Sequence, residues 1–402
     1  MSWEYVALGE LYEVHNGLSK GGKFFGKGSP FLSYSTVFNK WFLPQELLDL
    51  VQSTDNEQQS YSILRGDVFV TRTSETMDEL GMSSVALKDY PHATYNGFTK
   101  RLRPINPERI LPEFIGYYLR TAVFRAGFTA FSTMTTRASL RNEDLLSMKV
   151  PVPDMQTQKH IASILSAYDD LVESNQKQIK LLEEAAQRLY KEWFVDLRFP
   201  GHETTPIVDG IPQGWERMVL SKVTSVLKRG ISPKYSDNGK YSVINQKCIR
   251  SSIMDISESR RQEKEYVPTL NLQDSDTVIC STGTGTLGRV GRVYGDYPNT
   301  TFDSHVTLVR AKENPNYIYH VVKSQQEYLM GMGRGSTNQQ ELYRDVIERL
   351  VVLCPSQDIL LKADRVLNAI HCKIKAVYLQ NNLLVESRDR LLPKLMSGEL
   401  EV

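Results

Sequence analysis

The segment GGKFFGKGSP, residues 21–30, has the residue types and nearly the spacing of a phosphate-binding loop. Gly21, Gly26 and Lys27 match the GxxxxGK[ST] pattern, in which backbone N–H groups cradle phosphates and a hydroxyl at the start of a helix binds Mg²⁺. Gly28 occupies the position of that hydroxyl, and the following FLSYSTVF alternates in a way that predicts a strand. We therefore predict a flexible basic hairpin loop, with nucleotide binding as the alternative.

A second glycine-rich stretch also falls short of a nucleotide site. Gly283, Gly285 and Gly288 have GxGxxG spacing after the strand-like TVIC, but a dinucleotide fold requires a helix to follow. Further glycines in RVGRVYGDYP favour a second strand instead. The four cysteines form no CxxC pair, the seven histidines are scattered, and HExxH and GxSxG are absent. We predict no catalytic, cofactor or metal site in this chain.

The composition is typical of a soluble globular protein. The chain has 402 residues, of which 41% are hydrophobic and 24% charged, with a formal net charge of +1. This length predicts two or three domains. No run of about 18 apolar residues and no signal peptide is evident, so we expect a cytoplasmic protein without membrane contact. Any nucleic-acid binding must rely on local positive charge.

The chain contains an internal repeat of about 200 residues. WEYVALGELYEV begins at Trp3 and WERMVLSKVTSV at Trp215, 212 residues later, whereas Pro153 and Pro355 are 202 residues apart. Between them GDVFVTRTS corresponds to SDTVICSTG, and LPEFIGYYL corresponds to NPNYIYHVV. A repeat of this length predicts two similar α/β (α+β) domains.

Each repeat ends in a long helical pattern. Asp154 and Ser356 are candidate N-caps, and apolar residues then follow at alternating steps of three and four, as in a heptad seam. Arg388 interrupts the second seam, and Pro393 should kink or end its last turn. The seam residues are Leu165, Tyr168, Val172, Asn175, Ile179, Leu182, Ala186, Leu189 and Trp193, then Leu367, Ile370, Ile374, Val377, Asn381, Leu384, Leu391 and Leu395.

We predict that the two seams pack on each other as an antiparallel two-helix coiled coil, which separates the two similar globular domains in a pseudo-twofold arrangement. About 40 residues at 1.5 Å per residue would give a rod of roughly 60 Å. The alternative is that each helix packs only on its own domain.

The chain resembles the specificity subunit of type I restriction-modification systems over essentially its full length. The resemblance is strongest in VPVPDMQTQKHIASILSAYDDLVESNQKQIKLLEEAAQRLYKEWF and in LLPKLMSGEL. It implies target-recognition domains at 1–153 and 215–355, conserved spacer helices at 154–198 and 356–402, and a linker at 199–214. The second copy, VLCPSQDILLKADRVL, lacks the usual Gln-Lys before its helix and departs from the family pattern at that first turn.

The resemblance also implies partners. Each target-recognition domain would read one half of an asymmetric, bipartite double-stranded DNA sequence, while the helices dock two methyltransferase subunits and, in some systems, restriction subunits. The chain itself would be non-catalytic. S-adenosylmethionine would then bind the methyltransferase subunits, and ATP and Mg²⁺ a restriction subunit.

The residues expected to contact DNA lie in polar loops. Lys and Arg suit phosphates, and Arg, Lys, Asn and Gln suit base edges. In the first domain the candidates are Lys20, Lys23, Lys27, Arg72, Ser74, Thr135, Thr136 and Arg137. In the second domain they are Lys228, Arg229, Lys234, Tyr235, Asn245, Gln246, Lys247, Thr284, Arg289, Arg334, Ser336, Thr337, Asn338 and Gln339.

Two other functions are open to a chain of this pattern. A coiled-coil scaffold with protein-binding end domains would carry exposed aromatics at its tips, whereas these loops are polar and basic. An ATP-using enzyme would employ GGKFFGKG. A DNA specificity subunit accounts best for the repeat, the paired helices and the loops together.

Overall fold

The structure is a computed structural model that describes residues 3–74, 80–131, 138–335 and 340–402. The chain folds into two compact units. Unit 1 comprises Met1–Ser174 and Asn381–Val402, and unit 2 comprises Asn175–Gln380. Each long helix therefore contributes one part of its length to each unit.

The first half of the chain contains eleven strands and seven α-helices among its described residues, and the last of these helices is the first long helix. Its strands are β1 (Glu4–Ala7), β2 (Tyr12–Asn16), β3 (Phe25–Leu32), β4 (Leu50–Val51), β5 (Val68–Thr71), β6 (Thr73–Ser74), β7 (Ser83–Val85), β8 (Thr94–Tyr95), β9 (Thr99–Pro104), β10 (Ala138–Ser139) and β11 (Lys149–Val152). Its helices are α1 (Leu8–Leu11), α2 (Tyr34–Asn39), α3 (Asp55–Ser60), α4 (Pro112–Tyr118), α5 (Ala122–Phe131), α6 (Asn142–Ser147) and α7 (Met155–Tyr190).

The second half follows a short hairpin and repeats most of this order, without described counterparts of α2, α3 and the β6–β10 pair. Its strands are β12 (Ile207–Val208), β13 (Ile211–Pro212), β14 (Glu216–Val219), β15 (Thr224–Arg229), β16 (Tyr241–Ile244), β17 (Arg260–Gln262), β18 (Thr277–Cys280), β19 (Val290–Arg292), β20 (Thr300–Phe302), β21 (Val306–Ala311) and β22 (Val351–Cys354). Its helices are α8 (Leu220–Val223), α9 (Pro315–Ser324), α10 (Gln326–Gly331), α11 (Arg344–Glu348) and α12 (Gln357–Ser397).

The predicted repeat is confirmed by the sheets. Among the described residues, a four-stranded antiparallel sheet has the order β2-β9-β5-β7 in unit 1 and β15-β21-β18-β19 in unit 2. A smaller sheet, β4-β3-β8 or β17-β16-β20, has a central strand that is antiparallel to one neighbour and parallel to the other. The pairs β1-β11 and β14-β22 complete the correspondence.

The repeat extends to buried ion pairs in the four-stranded sheets. Asp67 accepts from Arg103 at 2.6 Å in unit 1, and Asp276 accepts from Arg310 at 2.7 Å in unit 2. Each carboxylate also accepts a backbone N–H three residues earlier, from Leu64 or from Gln273 respectively. A buried charge is tolerated only when it is paired and hydrogen-bonded, so both copies use the same solution at the start of a buried strand.

The two long helices pack against each other in each unit. In unit 1, Ile161 and Leu165 of α7 share a core with Leu392 and Leu395 of α12. In unit 2, Ile179 of α7 shares a core with Ile374 and Val377 of α12, and Asn175 Nδ2 lies 3.3 Å from Gln380 Oε1. Increasing residue numbers in α7 thus match decreasing numbers in α12, so the predicted antiparallel pairing is confirmed.

The ends of the helices follow the sequence with one exception. Asp154 caps α7, because its Oδ1 accepts from the N–H groups of Gln156 and Thr157 at 3.0 Å. Ser356 directly precedes α12. Of the two outcomes predicted for Pro393, a kink or an end, the end is wrong, because α12 continues to Ser397. Arg388 occupies its seam position by pairing with Asp169.

Two local predictions in the first domain are wrong. Residues 21–30 form no simple loop, because a 3₁₀ turn at Gly22–Phe24 leads into strand β3. The strand predicted for FLSYSTVF ends at Leu32, where Ser33 caps helix α2 by accepting from Thr36 N. The capping hydroxyl outweighs the alternating pattern of the aromatic residues. After TVIC, by contrast, the predicted second strand is present as β19.

Within the described residues, no helix is both long and apolar enough to cross a membrane.

Candidate nucleic-acid interface

In each unit, most of the predicted loops meet at one edge of the four-stranded sheet. Strand β9 is antiparallel to both β2 and β5, so the start of β9 lies beside the ends of β2 and β5. In unit 2 the start of β21 lies beside the ends of β15 and β18 for the same reason. We call this edge the loop edge of each unit.

A tight turn at the centre of the loop edge has the same hydrogen bonds in both units. In unit 1 it spans residues 96–98, where Asn96 Oδ1 accepts from Phe98 N at 2.7 Å and Phe98 O accepts from Arg72 N at 3.0 Å. In unit 2 it spans residues 303–305, where Asp303 Oδ1 accepts from His305 N at 2.9 Å and His305 O accepts from Ser281 N at 2.7 Å. We call these segments the tip turns.

Each tip turn is held by a glycine that no other residue could replace without movement. A Cβ on Gly17 would lie 2.0 Å from Asn96 O, and one on Gly230 would lie 2.1 Å from Phe302 O. Both contacts are with backbone oxygen, which cannot rotate away as a side chain could. Each tip turn therefore lies directly against the backbone that follows β2 or β15.

In unit 1, two predicted lysines gather around one aromatic ring. Lys20 Nζ and Lys23 Nζ each lie 5.2 Å from the ring centroid of Phe24. Lys20 also pairs with Glu57 at 2.7 Å, and this contact lowers the pKa of the Glu57 carboxyl. Lys23 and Lys27 are exposed. The segment that resembled a phosphate loop therefore presents two exposed cations from a 3₁₀ turn and a strand.

Arg72 follows β5 directly at the loop edge of unit 1. Its guanidinium, together with burial, lowers the pKa of Lys100, and burial is the larger cause. The side chain of Lys100 donates to Asn142. The backbone of Ser74 pairs with Ala138 in the neighbouring β6-β10 ladder. This ladder leads into the segment that contains Thr135, Thr136 and Arg137, which lie outside the described residues.

In unit 2, Arg229 at the end of β15 reaches across the loop edge. Its guanidinium donates to Ser304 O in the tip turn and pairs with the carboxylate of Glu341. The backbone of Glu341 forms isolated antiparallel β-bridges with Thr282 and with Arg334. The segments that follow β18 and α10 therefore meet here. Ser336, Thr337, Asn338 and Gln339 lie outside the part of the chain that the structure describes.

A basic cleft of about 280 Å³ adjoins this edge in unit 2. It brings together three predicted residues, Gln246, Lys247 and Arg289, with two that the sequence did not single out, Arg250 and Thr286. Lys247 is exposed and Arg289 half-buried. Three cations around one concavity suit an anion such as a phosphate group.

The remaining predicted residues of unit 2 differ in their availability. Lys228, Thr284 and Arg334 are exposed. Lys234 pairs with Glu263 at 2.8 Å, and the Arg260 guanidinium stacks 3.6 Å above the ring of Tyr235. Asn245 has only 8% exposure, and its Oδ1 accepts from Lys247 N at 2.8 Å. The structure therefore assigns Asn245 to capping a turn, which leaves little of its amide for DNA.

Sequence reasoning missed both exposed side chains of the tip turns. Phe98 is 55% exposed, and His305 is also exposed, with its Nδ1 2.6 Å from Thr282 Oγ1. The Asn-Gly pair before Phe98 is a strong turn signal that could have identified this position. In the described residues, no group of three or more His, Cys, Asp or Glu side chains could hold a metal ion.

A repeated α/β unit with a cation-bearing loop edge, combined with paired long helices, is the architecture predicted for a DNA specificity protein. Residues 1–184 match the family model described as the type I restriction modification DNA specificity domain. This match covers the first repeat, and the second repeat has the same strand order in its sheets.

Relatives and a solved structure extend the similarity to most of the chain. The chain is 28% identical over 334 residues to the type I restriction enzyme MjaIX specificity subunit of Methanocaldococcus jannaschii, covering 79% of this chain and 75% of that protein. It is 22% identical over 373 residues to the type I restriction enzyme HindI specificity subunit of Haemophilus influenzae, and the match covers 73% of this chain and 79% of that protein.

A crystal structure of the type I restriction-modification system S subunit from M. genitalium shares the fold, with a TM-score of 0.56 and 15% identity over 98% of this chain and 96% of that one. The predicted family is thus confirmed, and the prediction of a specificity subunit is supported over that of a scaffold.

Proposed function

We propose that the chain reads two different DNA half-sites, one at the loop edge of each unit, and positions separate methyltransferase subunits on the bound duplex. The single observation that supports this most strongly is the recurrence of one loop edge in both units with different side chains. Equivalent frameworks would place equivalent surfaces against DNA, while unlike side chains would select unlike base sequences.

In this proposal the chain contributes binding and register but no bond-making step. The methyl donor S-adenosylmethionine would bind the methyltransferase subunits, and ATP with Mg²⁺ would bind a restriction subunit where one is present. The cations of unit 1 (Lys20, Lys23, Lys27 and Arg72) and of unit 2 (Lys228, Arg229, Lys247, Arg250 and Arg289) would contact phosphates, because phosphate contacts fix orientation on the duplex.

The phosphate contacts are tested by the salt dependence of binding. Replacing Lys23 and Lys27 with alanine should weaken binding to all duplexes and reduce the slope of log K against log [salt] by about one for each lost phosphate contact. The matched control is Lys149→Ala with Lys159→Ala, two exposed lysines in β11 and α7. An unchanged slope for the Lys23 and Lys27 variant would count against a phosphate contact in this segment.

The complete function is tested in the host. The chain would be co-expressed with the products of its neighbouring genes, and methylated adenines would be mapped across the genomic DNA. We expect modification at a split, asymmetric sequence. Scattered or absent modification would contradict the proposal.

A further inference from the structure

The tip turns of the two units have matching backbone hydrogen bonds but carry different side chains. Besides the bonds already described, Thr99 N donates to Asn96 O at 3.0 Å in unit 1, and Val306 N donates to Asp303 O at 3.0 Å in unit 2. The middle and last residues are Gly97 and Phe98 in unit 1, but Ser304 and His305 in unit 2. The same hydrogen-bonded turn therefore displays an apolar ring in one unit and an imidazole in the other.

The exposure of Phe98 is not explained by packing within the chain. More than half of its side-chain surface is open at 55%, although its backbone N–H and C=O are both hydrogen-bonded. The backbone hydrogen bonds fix the place of Phe98 in the turn, and its ring, which adds little to the stability of the fold, is available as an apolar contact surface.

The chemistry of the surroundings favours a base as the partner of that ring. Phe98 O accepts from the N–H of Arg72, and Gly97 lies against Leu18 and Ser19, which directly precede Lys20. A phosphate held by nearby cations would bring a duplex onto the turn. In the major groove, apolar side chains contact the C5-methyl group of thymine.

The corresponding position in unit 2 offers hydrogen bonding instead. Thr282 Oγ1 holds His305 Nδ1 at 2.6 Å, and among the described residues Nε2 has no hydrogen-bond partner. An imidazole with one ring nitrogen hydrogen-bonded presents the other nitrogen to a partner. Such a group can distinguish base edges in the major groove.

We propose that residues 98 and 305 are equivalent base-contacting positions, where Phe98 selects a thymine methyl group in one half-site and His305 selects a hydrogen-bonding base edge in the other. This inference rests on the proposed function, because it assumes that each loop edge faces DNA. It adds the particular position at which the two half-sites diverge.

The test is a selection from randomised duplex DNA with the full-length chain. Wild type, Phe98→Ala, His305→Ala and the two exchanges Phe98→His and His305→Phe would each be incubated with the pool, and bound duplexes would be sequenced. Ile105→Ala is the matched control, because Ile105 is 54% exposed and follows the other end of the same strand, β9. Thermal unfolding of each variant would establish that it is folded.

We expect wild type to enrich two separate blocks of sequence. Phe98→Ala should reduce the preference for thymine at one position of one block by about tenfold, and His305→Ala should do so for a base in the other block only. Phe98→His should replace the thymine preference without altering the second block. If an alanine variant were unstable, the exchange, which introduces the residue natural to the equivalent turn, would give the same information.

The outcomes separate the two proposals. A wild-type motif that survives unchanged in all four tip-turn variants would overturn this inference and leave the proposed function intact. Loss of both blocks in a folded single variant would also overturn it, since the positions would then not be independent. Failure of wild type to enrich any motif would overturn both proposals.

Discussion

In both units a side chain of the globular part contacts the long helix at an equivalent position, but the contact involves a charged group in unit 1 and uncharged groups in unit 2. Tyr117 and His320 each lie five residues after the proline that begins α4 or α9, and Asp169 and His371 each lie sixteen residues after Pro153 or Pro355. In unit 1, Tyr117 Oη donates to Asp169 Oδ2 at 2.6 Å. In unit 2, His320 Nε2 lies 3.0 Å from His371 Nε2.

The contacts around each pair explain why the two solutions differ. Asp169 also pairs with Arg388, whose guanidinium lies 4.7 Å from the centroid of the Trp41 ring. His371 Nδ1 lies 2.8 Å from Tyr294 Oη, deep in the core. Burial, with the nearby Arg292 guanidinium as a smaller cause, lowers the pKa of His320 to about 3 and that of His371 to about 2. Unit 1 thus uses a charged network where unit 2 uses neutral imidazoles.

The comparison teaches that a repeated fold preserves the position of a contact more strictly than its chemistry. The backbone elements fix which two residues meet. The local degree of burial then decides whether a charged or a neutral pair is stable there, because an ionised group loses hydration on burial unless it is paired.

The largest expected effect concerns a feature that the units share. Gly17→Ala and Gly230→Ala should each destabilise the protein by about 3 kcal/mol, because the new methyl group would overlap a backbone oxygen and force the tip turn to move. Urea unfolding would measure the change. Gly21→Ala is the control, since a Cβ there meets nothing within 4 Å. If the free energy of unfolding were unchanged by the substitution at either glycine, the two tip turns would not be equivalent.

The next effect should be confined to unit 1. Asp169→Ala removes one of the two carboxylates that pair with Arg388, the other being Asp389, and it also removes the acceptor of Tyr117 Oη. It should cost about 2 kcal/mol because both the partly buried guanidinium and the buried hydroxyl lose a partner. His371→Gln in unit 2 leaves no charge unpaired and should cost only about 1 kcal/mol. Amide hydrogen exchange of α4 and α9 would report the two units separately, and Asp170→Ala serves as a control. Equal losses would contradict the electrostatic distinction.

The smallest effect at neutral pH grows as the solution becomes acidic. The folded pKa of His320 and His371 lies below the ordinary value of 6.5, so the unfolded chain binds more protons between pH 6.5 and about 3. Stability of unit 2 should therefore be complete above pH 6.5 and fall by about 1.4 kcal/mol per pH unit for each imidazole as the pH decreases.

Hydrogen exchange of α9 measured from pH 7.5 to 5.5, corrected for the intrinsic exchange rate, would test this pH dependence. The double variant His320→Gln with His371→Gln should lose it, whereas His15→Gln, at an exposed position of β2, should retain it. If α4 lost protection as steeply as α9, the neutral pair would not be the cause.

Much of the fold could be predicted from the sequence because the sequence contains an internal repeat, so each pattern could be compared with its second copy. The repeated Trp-Glu starts, the prolines that begin α4 and α9, and the seam residues of α7 and α12 are all local patterns with direct structural meaning. The predicted loops with Arg72, Arg229 and Arg289 reach the loop edges because each follows or connects strands of the four-stranded sheets.

The errors arose where a single side chain decides a local conformation. Ser33 ends β3 and begins α2 through one hydroxyl hydrogen bond, although the surrounding residues favour a strand. Asn245 was among the residues predicted to contact DNA, and in the structure its amide oxygen accepts a hydrogen bond from Lys247 N. Neither outcome is visible in residue type alone, because the same polar groups serve equally well for capping and for binding.

The sequence by itself determined the repeat, the helix pairing and the family, since periodicity and repetition survive without coordinates. Only the tertiary structure showed that Phe98 and His305 hold equivalent places in the two tip turns. It also showed that the pairs Tyr117–Asp169 and His320–His371 are counterparts. The physical reason is that such equivalences depend on strand register and burial, which bring together residues separated by dozens of positions in the chain and determine what charge each can carry.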